Sequence, residues 1–334
     1  MKRFYFFFTL FFTSVINAQI SDFDATDFTI ADNIAKLNEG EKLNNPPILS
    51  HKLTNKLSTD VEKFRAIFYW VCDNIKADDA QNTKIINNRR KFKNDSLAYV
   101  KWNRQYQKKA LKELFINKKT TCTGYAYLIK ELCFFANIEC KIINGYGRTA
   151  DGNVESLDLI NHSWNAVKLG NKWYLCDAAW ASGYLDSKSN FIKEYIDGYF
   201  LADPNLFAKN HIPIEKKWFL FDDTTQVKIN MPPLVYGETF KLNINPITPS
   251  KMVVNCKEGD VLIFSYKNLD NKKHIPSLIE IIREKEIPYN IYNIQYNNEL
   301  TTFKYKFNKK GNFDVHLKVE NYIVATYIVK VEDN

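Results

Sequence analysis

With 334 residues, 45% of them hydrophobic and 25% charged, the chain has an ordinary soluble, globular composition and length enough for two domains. The net charge of +8 is interspersed with acids except at Arg89, Arg90, Lys91 and Lys93, a cluster read as a solvated loop. Nucleic acid is therefore not an expected partner.

Residues 1–18 read as a secretory signal. Lys2 and Arg3 form its charged start, residues 4–16 its apolar body, and Asn17-Ala18 a small-residue cleavage site. The run is too short to span a membrane, and no later stretch is long and apolar enough to do so. No cysteine follows it to carry a lipid, so the mature chain is expected to be secreted or periplasmic. Residues 19–57 are polar and turn-rich, expected as a loosely attached lead-in to a domain over 58–230.

That domain opens on an amphipathic helix. Ser58 or Thr59 can cap it, and Val61, Phe64, Ile67, Phe68, Val71 and Cys72 recur at three- and four-residue steps. Residues 78–96 read as a polar surface excursion and 97–115 as a second helix. Thr120 or Thr121 then caps a third, whose apolar stripe is Tyr125, Leu128, Ile129, Leu132, Cys133 and Phe135. Cys122 falls in its first turn. A strand follows at 139–146, then two more on either side of a turn at Gly170-Asn171. Met231-Pro232-Pro233 reads as a linker. Beyond it, 231–334 has the short strands and turns of an immunoglobulin-like β-sandwich, clearest at 312–319 and 322–331 around a Glu-Asn turn.

An even-numbered turn sets His162 and Asp177 on one sheet face, opposite or one diagonal step apart, close enough for the carboxylate to hold the imidazole. Cys176 then faces the other way. A thiol is a weak nucleophile until ionised, and a helix N-terminus with a neighbouring imidazolium favours the thiolate. Cys122, His162 and Asp177 thus make a candidate nucleophile, base and orienting acid. Gly124 and Ala126 are expected to leave room for a substrate. Trp164, Trp180 and Tyr146 are candidates to line the site.

The motifs CTGYAYLIKEL, GYGR, NHSWNAV and KWYLCDAAW, flanked by EKFRAIFYWVCDNI and YFLADPNLFAKNHIPIEKKWFLF, resemble the transglutaminase-like superfamily of papain-related fold, most closely its exported bacterial and kyphoscoliosis-peptidase-like branch. The resemblance implies an α+β core with helices on an antiparallel sheet, and a triad of Cys122, His162 and Asp177. It depends on no cofactor, and calcium dependence is not assumed. Thr120 and Thr121 stand where many relatives have Gly and a small aliphatic residue, and Ser163 where alanine is common.

The implied chemistry is attack on an amide carbonyl through a thioester, with a protein or peptide as substrate. Hydrolysis is favoured; transamidation, cell-wall amidase action or a non-catalytic binding scaffold stay open. Six cysteines can pair in an oxidising compartment, Cys133 with Cys140 among the options, but no CxxC pair or Cys/His zinc pattern occurs. His51, His211, His274 and His316 are assigned no role.

Overall fold

The computed structural model describes residues 20–150, 160–186, 188–221, 231–270 and 272–333. The expected signal at 1–18 lies outside them. Among the described residues no helix is long and apolar enough to cross a membrane.

The chain begins with helices α1 (Thr29–Leu37), α2 (Pro46–Thr54) and α3 (Asp60–Asn74). Thr59 and Glu62 close a capping box at the start of α3, and all six residues of its expected apolar stripe are buried. Residues 20–57 are not a loose lead-in. Ala31, Ile34, Ala35, Leu49 and Leu53 are buried against α3 and α6, and Arg65 of α3 binds Asp32 of α1 at 2.6 Å. Their polar positions face outward; the apolar positions fall at helical spacing, which a turn-rich reading overlooks.

A short strand β1 (Lys76–Ala77) leads into α4 (Asp79–Lys91) and α5 (Ser96–Asn117), and β2 (Lys119–Thr120) returns beside β1 in parallel. The stretch expected as a polar excursion is thus largely helical, capped by Asp78 and Asp95, which accept from Gln81 and Ala98 amides. Closing the excursion at β1–β2 returns the chain to the core and starts α6 (Cys122–Phe135) there.

Helix α6 packs its Tyr125, Leu128, Ile129, Leu132 and Cys133 face on the sheet, while Phe135 lies exposed at its end. The sheet has strands β3 (Cys140–Gly147), β4 (His162–Leu169), β5 (Lys172–Cys176) and β8 (His211–Pro213) in the order β5-β4-β3-β8, all antiparallel. Gly170 at φ +58° fits the two-residue turn between β4 and β5. Between β5 and β8 come α7 (Ala178–Ala181), the hairpin β6 (Gly183–Leu185) and β7 (Phe191–Lys193), and α8 (Pro204–Phe207).

After β9 (Leu234–Val235) and α9 (Gly237–Lys241) come the strands of the sandwich: β10 (Ile244–Thr248), β11 (Val253–Lys257), β12 (Val261–Asn268), β13 (Pro276–Ile282), β14 (Lys285–Tyr289), β15 (Tyr292–Asn297), β16 (Leu300–Lys306), β17 (Gly311–Val319) and β18 (Tyr322–Glu332). One sheet runs β10-β12-β16-β15 and the other β11-β18-β17-β13-β14, with β9 also on β18. Phe264 and Tyr327, 5.5 Å apart edge to face, join the two sheets. Pro232 and Pro233, expected in a linker, are buried, and Phe240 stacks on Tyr199 at 4.1 Å. One continuous set of buried side chains therefore runs from the α/β domain into the sandwich. All six cysteines are free thiols.

Candidate active site

Cys122 is the first residue of α6, and its N-cap Thr121 makes no side-chain cap bond. The positive end of the helix dipole is therefore left for the thiol and whatever approaches it. Thr120 is buried and packs on Gly124, where a Cβ would lie 1.8 Å from its Oγ1. Gly124 therefore makes room for Thr120, not for a substrate as expected. Cys122 itself is partly exposed. Its Sγ takes hydrogen bonds from the His162 ring and the Ser163 amide.

His162 opens β4 opposite Gly145 of β3. Asp177 follows β5 directly, and the pairing of Asn165 with Cys176 sets it one diagonal step from His162. Asp177 is also the N-cap of α7: Oδ1 accepts from the Ala179 amide at 2.8 Å and the Trp180 amide at 3.2 Å. Oδ2 is left for His162 Nε2, at 2.6 Å. Cys176 faces away, its Sγ directed to Asn165 O at 3.8 Å.

The electrostatics follow from burial and pairing. Burial pushes the Cys122 thiol up, but the His162 charge, its hydrogen bond and the Ser163 amide outweigh burial and bring the thiol below its ordinary value. Burial likewise opposes charge on His162, yet Asp177 and the Cys122 thiolate hold its pKa up at about 10. Burial would also raise Asp177, and the two imidazoles beside it hold it far below the usual carboxylate range. All three shifts run in the direction of thiolate, imidazolium and carboxylate.

The second imidazole belongs to His211, to which the sequence reading gave no role. His211 Nε2 lies 3.0 Å from the same Asp177 Oδ2, with its side chain fully buried. Burial, partly offset by Asp177, takes its pKa down to about 4, which keeps the ring neutral. A carboxylate oxygen only accepts, so the ring's one proton sits on Nε2. Nδ1 is then the acceptor, and the Asn210 amide must be turned to offer it the NH2 in place of Oδ1. The one signal in the sequence was the pair Gly145 and Gly147 on one face of β3, which lets bulky groups close over it; nothing local says which strand lies alongside. Asn161 was missed as well: its side-chain amide accepts from Gly147 N and donates to Gly147 O, at 2.7 and 2.9 Å, fixing the start of β4.

Of the expected lining residues, Trp164 is fully buried behind His162 and touches Phe207 and His211. Trp180 is half-buried and stacks on the His162 ring at 4.6 Å. Tyr146 pairs with Ile212 on the sheet and packs near Ile212 and Phe219, beside the triad but not against it. Among the described residues, His162, Asp177 and His211 are the group with metal-ligand character, their ligand atoms within 4.8 Å of one another. Spacings of 2.6 and 3.0 Å to one oxygen are those of N–H···O bonds. A zinc ion ~2.0–2.2 Å from each ligand would need those atoms further apart, so the cluster is a hydrogen-bond chain.

Residues 48–178 match the transglutaminase-like superfamily core. Kyphoscoliosis peptidase of Homo sapiens is 27% identical over 288 residues, covering 81% of this chain and 39% of the relative. Hillarin of Drosophila melanogaster is 26% identical over 186 residues, covering 52% of this chain and 20% of the relative. The chain thus spans only about two fifths of the kyphoscoliosis peptidase it matches. Among solved structures, the Lin-41 filamin domain aligns with 30% of this chain and 97% of that one at 8% identity, with a TM-score of 0.21, too low to bear on the fold. With Cys122, His162 and Asp177 all inside the matched span, the chain carries a domain of the transglutaminase-like superfamily.

Proposed function

We propose that this protein is a thiol enzyme that cleaves amide bonds of peptides or proteins, with Cys122 as nucleophile, His162 as acid and base, and Asp177 as the group that orients and charges His162. The observation that carries the reading is the unbroken chain from a helix-terminal thiol through His162 to a carboxylate pinned by two backbone amides. The Cys122 thiolate adds to the carbonyl carbon, and its electron pair forms the C–S bond while the carbonyl oxygen takes the negative charge. First-turn amides of α6 face that oxyanion. His162 gives its proton to the leaving amine as the C–N bond breaks, leaving a thioester and a neutral imidazole. Water, deprotonated by His162, then adds to the thioester carbonyl, and the C–S bond breaks to release the acid and restore the thiolate and imidazolium.

Water is favoured as acceptor because it is abundant wherever Cys122 is open to solvent. An amine resolving the same thioester would give transamidation. Export, on the strength of the apolar leader at 4–16, belongs to the same proposal.

The test is a mixed peptide pool incubated with wild type and Cys122→Ala, with and without a biotinylated primary amine. New N-termini that depend on Cys122 support hydrolysis. Biotin on glutamine side chains without new N-termini shifts the assignment to transamidation. Neither product, with Cys122 ionised, would leave a binding scaffold.

A further inference from the structure

Strands β4 and β8 are not neighbours; β3 lies between them. Adjacent strands sit about 4.8 Å apart, so side chains on β4 and β8 start about 10 Å apart. The His162 and His211 ring centroids are nonetheless 5.2 Å apart. They converge over Gly147 of β3, which pairs with His211 and has no side chain to hold them off. The His211 ring lies flat on Phe207 at 3.7 Å, with Trp180 at 4.5 Å and Trp164 at 5.1 Å. Its Nδ1 is 2.7 Å from Asn210 Oδ1; a half-turn of that amide sets its NH2 against the Nδ1 lone pair of a ring protonated on Nε2. Asn210 also bonds the Tyr199 hydroxyl. The titratable groups facing it are Asp177, His162 and Tyr199; besides these it meets the Asn210 side chain, the Phe207 backbone and aromatic rings.

Asp177 therefore has four donors: two backbone amides on Oδ1, and His162 and His211 on Oδ2. A buried carboxylate stays ionised in proportion to the donors that solvate it. With one fewer, it regains affinity for a proton, and the nearest proton is on His162 Nε2. Losing that proton removes the imidazolium and with it the charge that favours the Cys122 thiolate.

We propose that His211 is a fourth, positioning member of the site, which supplies the second donor to Asp177 Oδ2 and so keeps Asp177 charged and His162 turned to Cys122. The proposal rests on the thiol reading above. It extends the site to a residue that touches neither the thiol nor a substrate, and it makes the edge strand β8 part of the machinery.

The experiment measures iodoacetamide alkylation of Cys122 by peptide mass spectrometry across pH 4–9 in wild type, His211→Gln, His211→Asn and His162→Ala. Gln places a donor nitrogen near the position of Nε2, whereas Asn reaches only as far as Nδ1. Protection of the buried Cys72, Cys133 and Cys176 in the same digests reports that each variant is folded. His211→Gln is expected to stay within about twofold of wild type, and His211→Asn to lose about tenfold at pH 6, a shift of about one unit in the thiol pKa. Should His211→Asn not fold, His211→Gln decides alone: a folded His211→Gln with an ordinary thiol profile overturns the proposal. A wild-type profile in His211→Asn, with His162→Ala still impaired, overturns the His211 role and leaves the thiol reading standing. A wild-type profile in His162→Ala as well overturns both.

Discussion

A Cβ built on Gly147 would lie 3.1 Å from His162 Cβ and Cγ and 2.9 Å from Trp180 Cζ2, so the backbone of β3 is the floor on which the His162 ring rests. Gly147→Ala must push the imidazole off that floor or bend the strand. Overpacking of this kind costs about 1–3 kcal/mol. The expected outcome is a thermal midpoint several degrees lower, with Cys122 alkylation at pH 6 slowed about tenfold in the folded variant. Unchanged alkylation would mean that the ring has room that the packing does not suggest.

His211 gives stability a pH dependence of definite sign. Its folded pKa of about 4 lies below the unfolded value near 6.5, so between these the unfolded state binds more protons and stability rises with pH. The contribution is present above about 6.5 and is lost as pH falls towards 4. Urea unfolding at pH 4.5 and 7 is expected to show wild type losing about 2–3 kcal/mol more than His211→Gln over that interval. An equal loss in both proteins would mean that His211 is not held neutral.

Asp177→Asn keeps an oxygen for the Ala179 and Trp180 amides but removes the charge. His162 then loses the larger of the two groups that hold it charged, and the Cys122 thiol pKa is expected to rise by about one to three units. Titrating Cys122 alkylation against pH in this variant checks the shift, with thermal unfolding confirming that α7 stays capped.

Arg65 serves stability and not the site. Its buried guanidinium joins Asp32 of α1 and Asp197 near the seam, over the Phe200 ring at 4.8 Å. Arg65→Ala leaves both carboxylates unpartnered by it and opens a gap between α1 and α3, for an expected loss of about 2–4 kcal/mol. The pH profile of Cys122 in the folded fraction should match wild type, which makes this variant a control for the others.

The elements readable in the sequence were those whose signals are local. The α3 stripe with its Thr59 cap, Cys122 in the first turn of α6, and the two-residue turn that puts Asp177 a diagonal step from His162 each depend on neighbours a few residues away. Residues 20–57 were misread because their polar share is high, while the five or so apolar residues that dock α1 and α2 matter only once α3 and α6 are present. His211 was hidden for a different reason. Its role depends on β8 pairing with β3, a contact between segments some 60 residues apart with no periodic signature in a three-residue strand. Gly124 shows the converse, a small residue near a nucleophile that makes room for a packed Thr120 and not for a substrate.

The most direct test of the central claim is the ionisation of Cys122 itself, followed by ultraviolet thiolate absorbance from pH 4 to 10 as the difference between wild type and Cys122→Ser, and repeated in His162→Ala. The thiolate–imidazolium pair predicts thiolate already formed well below the ordinary thiol pKa near 8.5, and its return towards that value without His162. A wild-type transition at or above about 8.5, unmoved by His162→Ala, would contradict the pair and with it the assignment of Cys122 as nucleophile.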